Sequence, residues 1–209
     1  MPKTEKRRRK SSAEEKKSLI LNSAVKVFSQ KGFHRCRISD IANEAGVAYG
    51  LVYHYFENKQ EILQTIFEKN WGLLTKVIDT VEEQTDDLSQ KLLLITSFML
   101  DAYKLAPDII QVMVMEIARS SKFLKKPKIE AFEKAFSRLG EILSHHQKKG
   151  DIASDLEPKF LAYCFFGILE LILTGYLLGT LHPNEGEQHE AFKSRLVDIF
   201  LNGISRKTV

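Results

Sequence analysis

Six consecutive residues, Tyr49 to His54 (YGLVYH), put two phenolic hydroxyls, an imidazole and a glycine side by side. Tyrosine and histidine donate and accept hydrogen bonds, and glycine lets a partner come close to the backbone. Held on the outward face of a short helix, Tyr49, Gly50, Leu51, Tyr53 and His54 are groups suited to base edges and phosphates in a DNA groove. Leu51 offers no hydrogen bond and suits only an apolar contact such as a thymine methyl.

Such groups need a rigid platform, and the flanking sequence describes one. Ile38, Ile41, Ala42 and Ala45 recur as the inward face of a helix over about Ser39–Ala45. Gly46 stands where a helix ends in a left-handed residue, and Val47 packs the corner. A third short helix begins near Ala48–Tyr49, with Val52 and Phe56 turned into the motif and Tyr55 either core or surface. Two short helices around a glycine corner make a helix-turn-helix, whose second helix enters the major groove. Ahead of it, a helix starting at a Ser11–Glu14 or Ser12–Glu15 capping box carries Leu19, Ile20, Ala24, Val27 and Phe28 and ends at Gly32. Behind it, Asn58 caps a longer helix bearing Ile62, Leu63, Ile66 and Phe67, running through Trp71 towards residue 85.

The stretch IANEAGVAYGLVYHYFENKQEIL (41–63) resembles the DNA-binding signature of TetR-family repressors. The likeness rests on the IA-x-x-AGV corner, the tyrosine-aromatic-phenylalanine run and the lysine opening the next helix. It implies that Tyr49, Gly50, Leu51 and His54 approach bases, that Tyr53 and Lys59 hold phosphates, and that Ser39 reaches backbone or a base edge. Two positions depart from the family. Arg37 replaces a capping threonine or serine, a loss of about 1 kcal/mol that adds a charge suited to phosphate. Ala48 lacks the serine cap common at the recognition helix.

Charge agrees with this placement. Residues 1–60 hold thirteen Lys/Arg and six Asp/Glu, a balance of +7, which leaves −3 for the rest of a chain whose net charge is +4. A basic first quarter on a mildly acidic body suits a polyanionic partner. The tail KRRRK (6–10) reads equally as a minor-groove arm or a solvated tail. Cys36 and Cys164 give neither metal spacing nor a disulfide framework, so a reducing cytoplasm is the expected compartment. No nucleophile elbow, phosphate loop or HExxH occurs, and adjacent His145 and His146 diverge by about 100° on a helix, so no enzyme, cofactor or metal site is expected.

With 209 residues, 44% of them hydrophobic, and only five prolines, the fold class expected is all-α. Beyond residue 85 the pattern predicts helices over Leu88–Leu105, from Pro107 to about Ser121, from Pro127 to Lys149, from Pro158 to about Leu181 and over about Gln188–Ile204, making about nine in all. The expected division is a three-helix DNA-binding domain over 1–58 and a helical ligand-binding and dimerisation domain over 59–209. FLAYCFFGILELILTGYLLG (160–179) is about long enough to span a bilayer, but Glu170 near its middle is costly in lipid, and a helix buried between protein surfaces is favoured, with no membrane. A single helix-turn-helix reads too little DNA for selectivity, so a homodimer on a pseudo-palindromic operator is expected. Helices 158–181 and 188–204 would pair, with Phe192, Leu196, Ile199, Phe200 and Ile204 on the last and Gly167, Gly175 and Gly179 easing close approach.

The middle helices are rich in Phe and Met, which reads either as core or as an adaptable apolar ligand pocket. The expected pocket residues are Phe98, Met99, Tyr103, Met113, Glu116, Phe132, Phe136, Phe166 and Glu170. The two glutamates read as pocket anchors, hydrogen-bonded core groups or solvent-facing residues. The segments MEIARSSKFLKK (115–126) and KKGDIASDLEP (148–158) resemble the fatty-acid-degradation repressors within the family. That resemblance implies a hydrophobic effector of the long-chain acyl-CoA type. Lys122, Lys125, Lys126 and Lys128 then read as CoA-phosphate ligands or as a solvated charge run. The alternatives are a repressor of an efflux gene released by a drug-like compound and a nonspecific DNA-packaging protein.

Overall fold

The computed structural model describes residues 2–117, 130–152, 156–183 and 185–204, without the side chains of 2–11, 116, 117 and 204. Nine helices and no strand occur among the described residues: α1 (Pro2–Lys31), α2 (Ile38–Ala45), α3 (Tyr49–Tyr55), α4 (Lys59–Gln84), α5 (Leu88–Leu105), α6 (Pro107–Ile117), α7 (Glu130–Lys149), α8 (Pro158–Leu178) and α9 (Gly186–Ile204).

Local chemistry accounts for most boundaries. Gly46 has φ +63° and ends α2, its backbone N–H turned to the Asn43 carbonyl at 3.1 Å. Asn58 caps α4, its Oδ1 accepting from the Glu61 N–H at 3.0 Å. Asp87 and Glu157 cap α5 and α8 in the same way. At the start of α2, Arg37 gives no side-chain cap, and Asp40 compensates by accepting from the Arg37 N–H at 2.8 Å.

Two boundaries differ from expectation. The first helix runs unbroken from Pro2, so the boxes at Ser11 and Ser12 start nothing. Pro2 occupies a first-turn position, and the Lys, Arg, Glu and Ala that follow propagate helix without a breaker. Next, α8 stops at Leu178 because Gly179 takes φ +68° and the Thr180 and Leu181 N–H groups both turn back to the Gly175 carbonyl. Leu181 folds over Gly175, where a Cβ would lie 2.7 Å from the Leu181 side chain. Within the chain, Gly175 and Gly179 therefore serve the helix's own cap. The expected end near Ser121 and start at Pro127 lie outside the described residues.

Side chains bury into two clusters that meet along α4. The first holds Ile20, Ala24 and Phe28 of α1, Ile41 and Ala42 of α2, Val52 of α3, Phe56, and Ile62, Leu63, Ile66 and Phe67 of α4, with Val112 of α6. The second begins at Leu74 of α4 and gathers the inner faces of α5, α7, α8 and α9. Each fully buried aliphatic or phenyl group contributes about 1.5–3 kcal/mol. The reading motif is thus completed by the first two turns of α4, a helix continuous with the second cluster.

Polar ties fix the layers. Arg138 of α7 bonds Asp79 and Glu82 of α4 and also Glu141, and these partners raise its pKa. Asp101 of α5 meets His189 at 2.7 Å and Lys193 at 3.2 Å, both on α9 and both buried.

Candidate functional site

The corner around Gly46 delivers the expected reading groups to the surface. Tyr49, Gly50, Tyr53 and His54 are exposed on α3, while Leu51 is half-buried. Val52 and Phe56 are buried and Val47 and Tyr55 pack against the first cluster, which places Tyr55 on the core side. Tyr49 and Tyr53 share a face: Tyr49 donates to the Tyr53 hydroxyl at 3.1 Å, and their rings meet edge-on at 5.1 Å. That bond raises the Tyr49 pKa, so the phenol stays protonated and keeps its hydrogen-bond donor. The pair forms one polar, aromatic unit over two positions of the helix. Arg35 and Arg37 are also exposed, and Ser39 is half-buried. The side chains of the tail 6–10 fall outside the described residues.

Lys59 departs from the expected phosphate role. Its Nζ donates to the carbonyls of Phe33 (2.7 Å), Cys36 (2.9 Å) and His34 (3.1 Å) and lies 4.6 Å from the Phe33 ring centroid. All three ammonium protons are used. The residue stitches the start of α4 to the loop between α1 and α2, as a positioning group within the motif. Lys26 and Lys31 are likewise engaged, by Glu44 at 2.6 Å and Asp40 at 2.8 Å. The Lys31 bond, helped by the Arg37 N–H, lowers the Asp40 pKa. The charge facing a polyanion is therefore less than the composition of the segment. Burial pushes the Cys36 thiol up to about 11, which leaves it unreactive and unsuited to metal.

The expected pocket residues separate into three groups. Phe132, Phe136 and Phe166 come together, with ring centroids 4.3 Å apart for Phe132–Phe136 and 4.6 Å for Phe136–Phe166. Two residues absent from the expectation join them: Trp71 of α4, 4.8 Å from Phe132, and Tyr163 of α8, 4.3 Å from Phe136. Trp71 falls on the inner stripe of α4 with Phe67 and Leu74, a signal available in the sequence. Phe98, Met99 and Tyr103 of α5 form a second group against the same cluster. Tyr103 donates to the Tyr176 carbonyl at 3.2 Å. The third group does not belong. Met113 packs into the first cluster because the register of α6 turns it towards α1. Glu170 stands exposed on the outer side of α8, where it anchors nothing inside. The Glu116 side chain and Lys122, Lys125, Lys126 and Lys128 lie outside the described residues.

The last two helices also differ from expectation. One face of α8 (Leu161, Ala162, Phe165, Phe166, Leu169, Leu173 and Tyr176) is buried within the chain, and only the opposite face is exposed. It is long and apolar enough to cross a membrane by length and composition, yet its inner face packs as a core helix does. On α9, Leu196 and Phe200 are buried in the chain's own core and Phe192 packs against it, leaving Ile199 outward. The Ile204 side chain is outside the described residues.

Comparison with known proteins agrees with this geometry. Residues 20–66 match the family described as bacterial regulatory proteins, tetR family. The fatty acid metabolism regulator protein of Bacillus subtilis (strain 168) is 24% identical over 188 residues, covering 90% of this chain and 95% of its own. The regulator HbdR of Aromatoleum sp. (strain CIB) is 38% identical over 71 residues, 34% of this chain and 28% of its own. Among solved structures, the fatty acid degradation regulator FadR from Bacillus halodurans superposes with a TM-score of 0.80 at 24% identity, covering 90% of this chain and 95% of that one. FadR from Bacillus subtilis in complex with stearoyl-CoA gives 0.79 at 24%, with 90% and 98% covered. At that identity the structures show a shared fold. The matched segment spans the helix-turn-helix and its supporting turns, and regulators of this kind are not enzymes. Over residues 20–66 the chain carries the DNA-binding region of the tetR family of bacterial regulatory proteins.

Proposed function

We propose that this regulator is a homodimeric repressor whose release from a pseudo-palindromic operator is driven by a long-chain acyl-CoA. Residues 1–58 read DNA through Tyr49, Gly50, Tyr53 and His54, with Arg37 and Ser39 at the flank. Residues 59–209 bind the effector and pair the protomers. The observation that carries the reading is the aromatic cluster of Trp71, Phe132, Phe136, Tyr163 and Phe166 between α4, α7 and α8. An apolar chain threaded among these rings gains the burial that aromatic linings provide. Trp71 packs against both clusters, so displacing it moves the helix that also carries the reading motif. The effector releases DNA to the extent that it binds one setting of α4 more tightly than the other.

The names of the relatives support the same effector class: one is a fatty acid metabolism regulator and another was solved with stearoyl-CoA. The deciding experiment is DNA release from the promoter neighbouring the gene, with palmitoyl-CoA or oleoyl-CoA added. Release at micromolar concentrations is expected. Release by hydrophobic drug-like compounds, with acyl-CoA inert, replaces the effector. Binding that ignores sequence and collapses with salt indicates a DNA-packaging role instead.

A further inference from the structure

Four buried side-chain polar atoms lack a hydrogen-bond partner among the described residues: Thr96 Oγ1, His146 Nε2, Tyr176 Oη and His189 Nδ1. The two histidines are tied by their other ring nitrogen, to Asp151 at 2.6 Å and to Asp101 at 2.7 Å. The two hydroxyls have no such tie. A buried hydroxyl without a partner forfeits its hydration for nothing, and such groups in folded proteins call for an explanation.

Thr96 is unlike the other helical threonines whose side chains are described. Thr65, Thr75, Thr80 and Thr174 each donate to the carbonyl four residues back, at 2.8–3.0 Å. Thr96 is fully buried and does not. Its hydroxyl is left for something other than its own helix.

Tyr176 shows a related asymmetry. Its backbone carbonyl accepts from Tyr103, and the two rings lie 5.3 Å apart, yet its own hydroxyl is buried and unused. Tyr103 and Thr96 are seven residues apart, two turns along one face of α5. The Tyr176 hydroxyl thus belongs to the seam where Tyr103 of α5 meets α8, and Thr96 lies on the same side of α5 as Tyr103. Burial raises the Tyr176 pKa, so the phenol keeps its proton and acts as a donor.

We propose that the Tyr176 hydroxyl is the polar anchor of the effector site and donates to the carbonyl oxygen of a bound acyl group. The assignment rests on the reading that an acyl effector enters this body. A neutral donor in apolar surroundings suits a thioester carbonyl better than a carboxylate, whose charge would be costly to bury there without a cation. Glu170, the acidic residue nearest in sequence on α8, faces solvent and cannot serve.

The test is Tyr176→Phe in the full chain, which removes the oxygen and keeps the ring. Without effector, the melting temperature should stay the same or rise, since no bond is lost. A fall of several degrees means the hydroxyl is satisfied inside the protein and overturns the anchor. Binding of palmitoyl-CoA, followed by the fluorescence of the single tryptophan, Trp71, should weaken roughly tenfold with operator affinity unchanged. Wild-type affinity in the variant overturns the anchor while leaving the effector reading standing. Weakening for palmitate but not for palmitoyl-CoA overturns the thioester assignment. A wild-type protein that binds neither compound overturns the effector reading and the anchor with it.

Discussion

The ammonium of Lys59 lies 2.7 Å from the carbonyl oxygen of Phe33 and 4.6 Å from the centroid of its ring. One side chain thus joins the start of α4 to the α1–α2 loop, which leads directly into α2. The same lysine bonds two further carbonyls, so it works as a fixed tie.

Replacing Lys59 by Met should lower stability by about 1.5–3 kcal/mol, the range for hydrogen bonds to a charged donor. It should weaken operator binding while leaving the salt dependence of binding unchanged. A lysine spent on phosphate would instead reduce the salt slope by about one on removal. Operator affinity measured across a salt series decides between the two. A flatter slope with unchanged melting temperature would return Lys59 to the DNA interface.

Tyr49 and Tyr53 act as a pair, so their substitutions should not add. Tyr49→Ala should cost about 1–3 kcal/mol in operator binding and much less on unrelated DNA, because a base-reading group is lost. Tyr49→Phe keeps the ring and removes the hydroxyl that bonds Tyr53. A double-mutant cycle with Tyr53→Phe should show coupling of about 0.5 kcal/mol or more, as expected for groups in contact. Equal losses on operator and unrelated DNA would remove Tyr49 from base reading.

Gly46 separates the two short helices at φ +63°, and a Cβ added there would meet nothing within 4 Å. Gly46→Ala meets no steric neighbour, so its cost is backbone strain alone, about 1–2 kcal/mol. Thermal unfolding measures it. Gly46→Asn should recover part of the loss, since asparagine tolerates the left-handed region better. A loss as large for Asn as for Ala would point to a different cause.

Legibility followed the distance over which each feature is decided. Gly46, Asn58 and Pro107 punctuate the chain through their own backbone chemistry, and the corresponding helix ends were readable within a residue or two. Lys59 was not, because its acceptors lie 23 to 26 residues upstream and meet it only after folding. Met113 shows the same limit: composition marks it as apolar but not which of two clusters it joins. The run 160–179 reads as apolar throughout, and the structure divides it into one buried and one exposed face because neighbouring helices, α7 foremost, cover only one side of it within the chain. Tyr176 carries no sequence signal at all, since an unused hydroxyl is defined by what fails to surround it.

Asp101 provides the pH dependence. Burial pushes its carboxyl up, but hydrogen bonds from His189 and Lys193 more than offset this and leave its pKa below the ordinary carboxylate value. A depressed folded pKa contributes stability that is present above the unfolded value, about 3.9, and is lost as pH falls through the folded one. The seat of α9 on α5 should therefore loosen only below about pH 4, with neutral pH on the stable side. Asp101→Asn should cost at most about 1 kcal/mol at pH 7, the carboxylate being partly exposed, and should flatten the acid limb of the stability curve. An unchanged acid limb would mean that the tie contributes nothing.

The exposed face of α8 reads Phe160, Cys164, Gly167, Leu171, Thr174 and Leu178, alternating four and three residues apart. That is the spacing of a continuous helical stripe, and Leu171 at its middle is 72% exposed. A monomer gains little from so much apolar surface, whereas a two-fold partner would bury it against its own copy. Leu171→Glu touches no core and should change the stability of the isolated fold by only about 0.5 kcal/mol. On a two-fold axis it would instead bring like charges together. Sedimentation should report a monomer, and affinity for a two-half-site operator should fall by roughly a hundredfold or more while single half-site binding is retained. A variant that stays dimeric would move the interface away from this stripe, and Ile199→Glu on α9, where the side chain is also exposed, would then be the next position to measure.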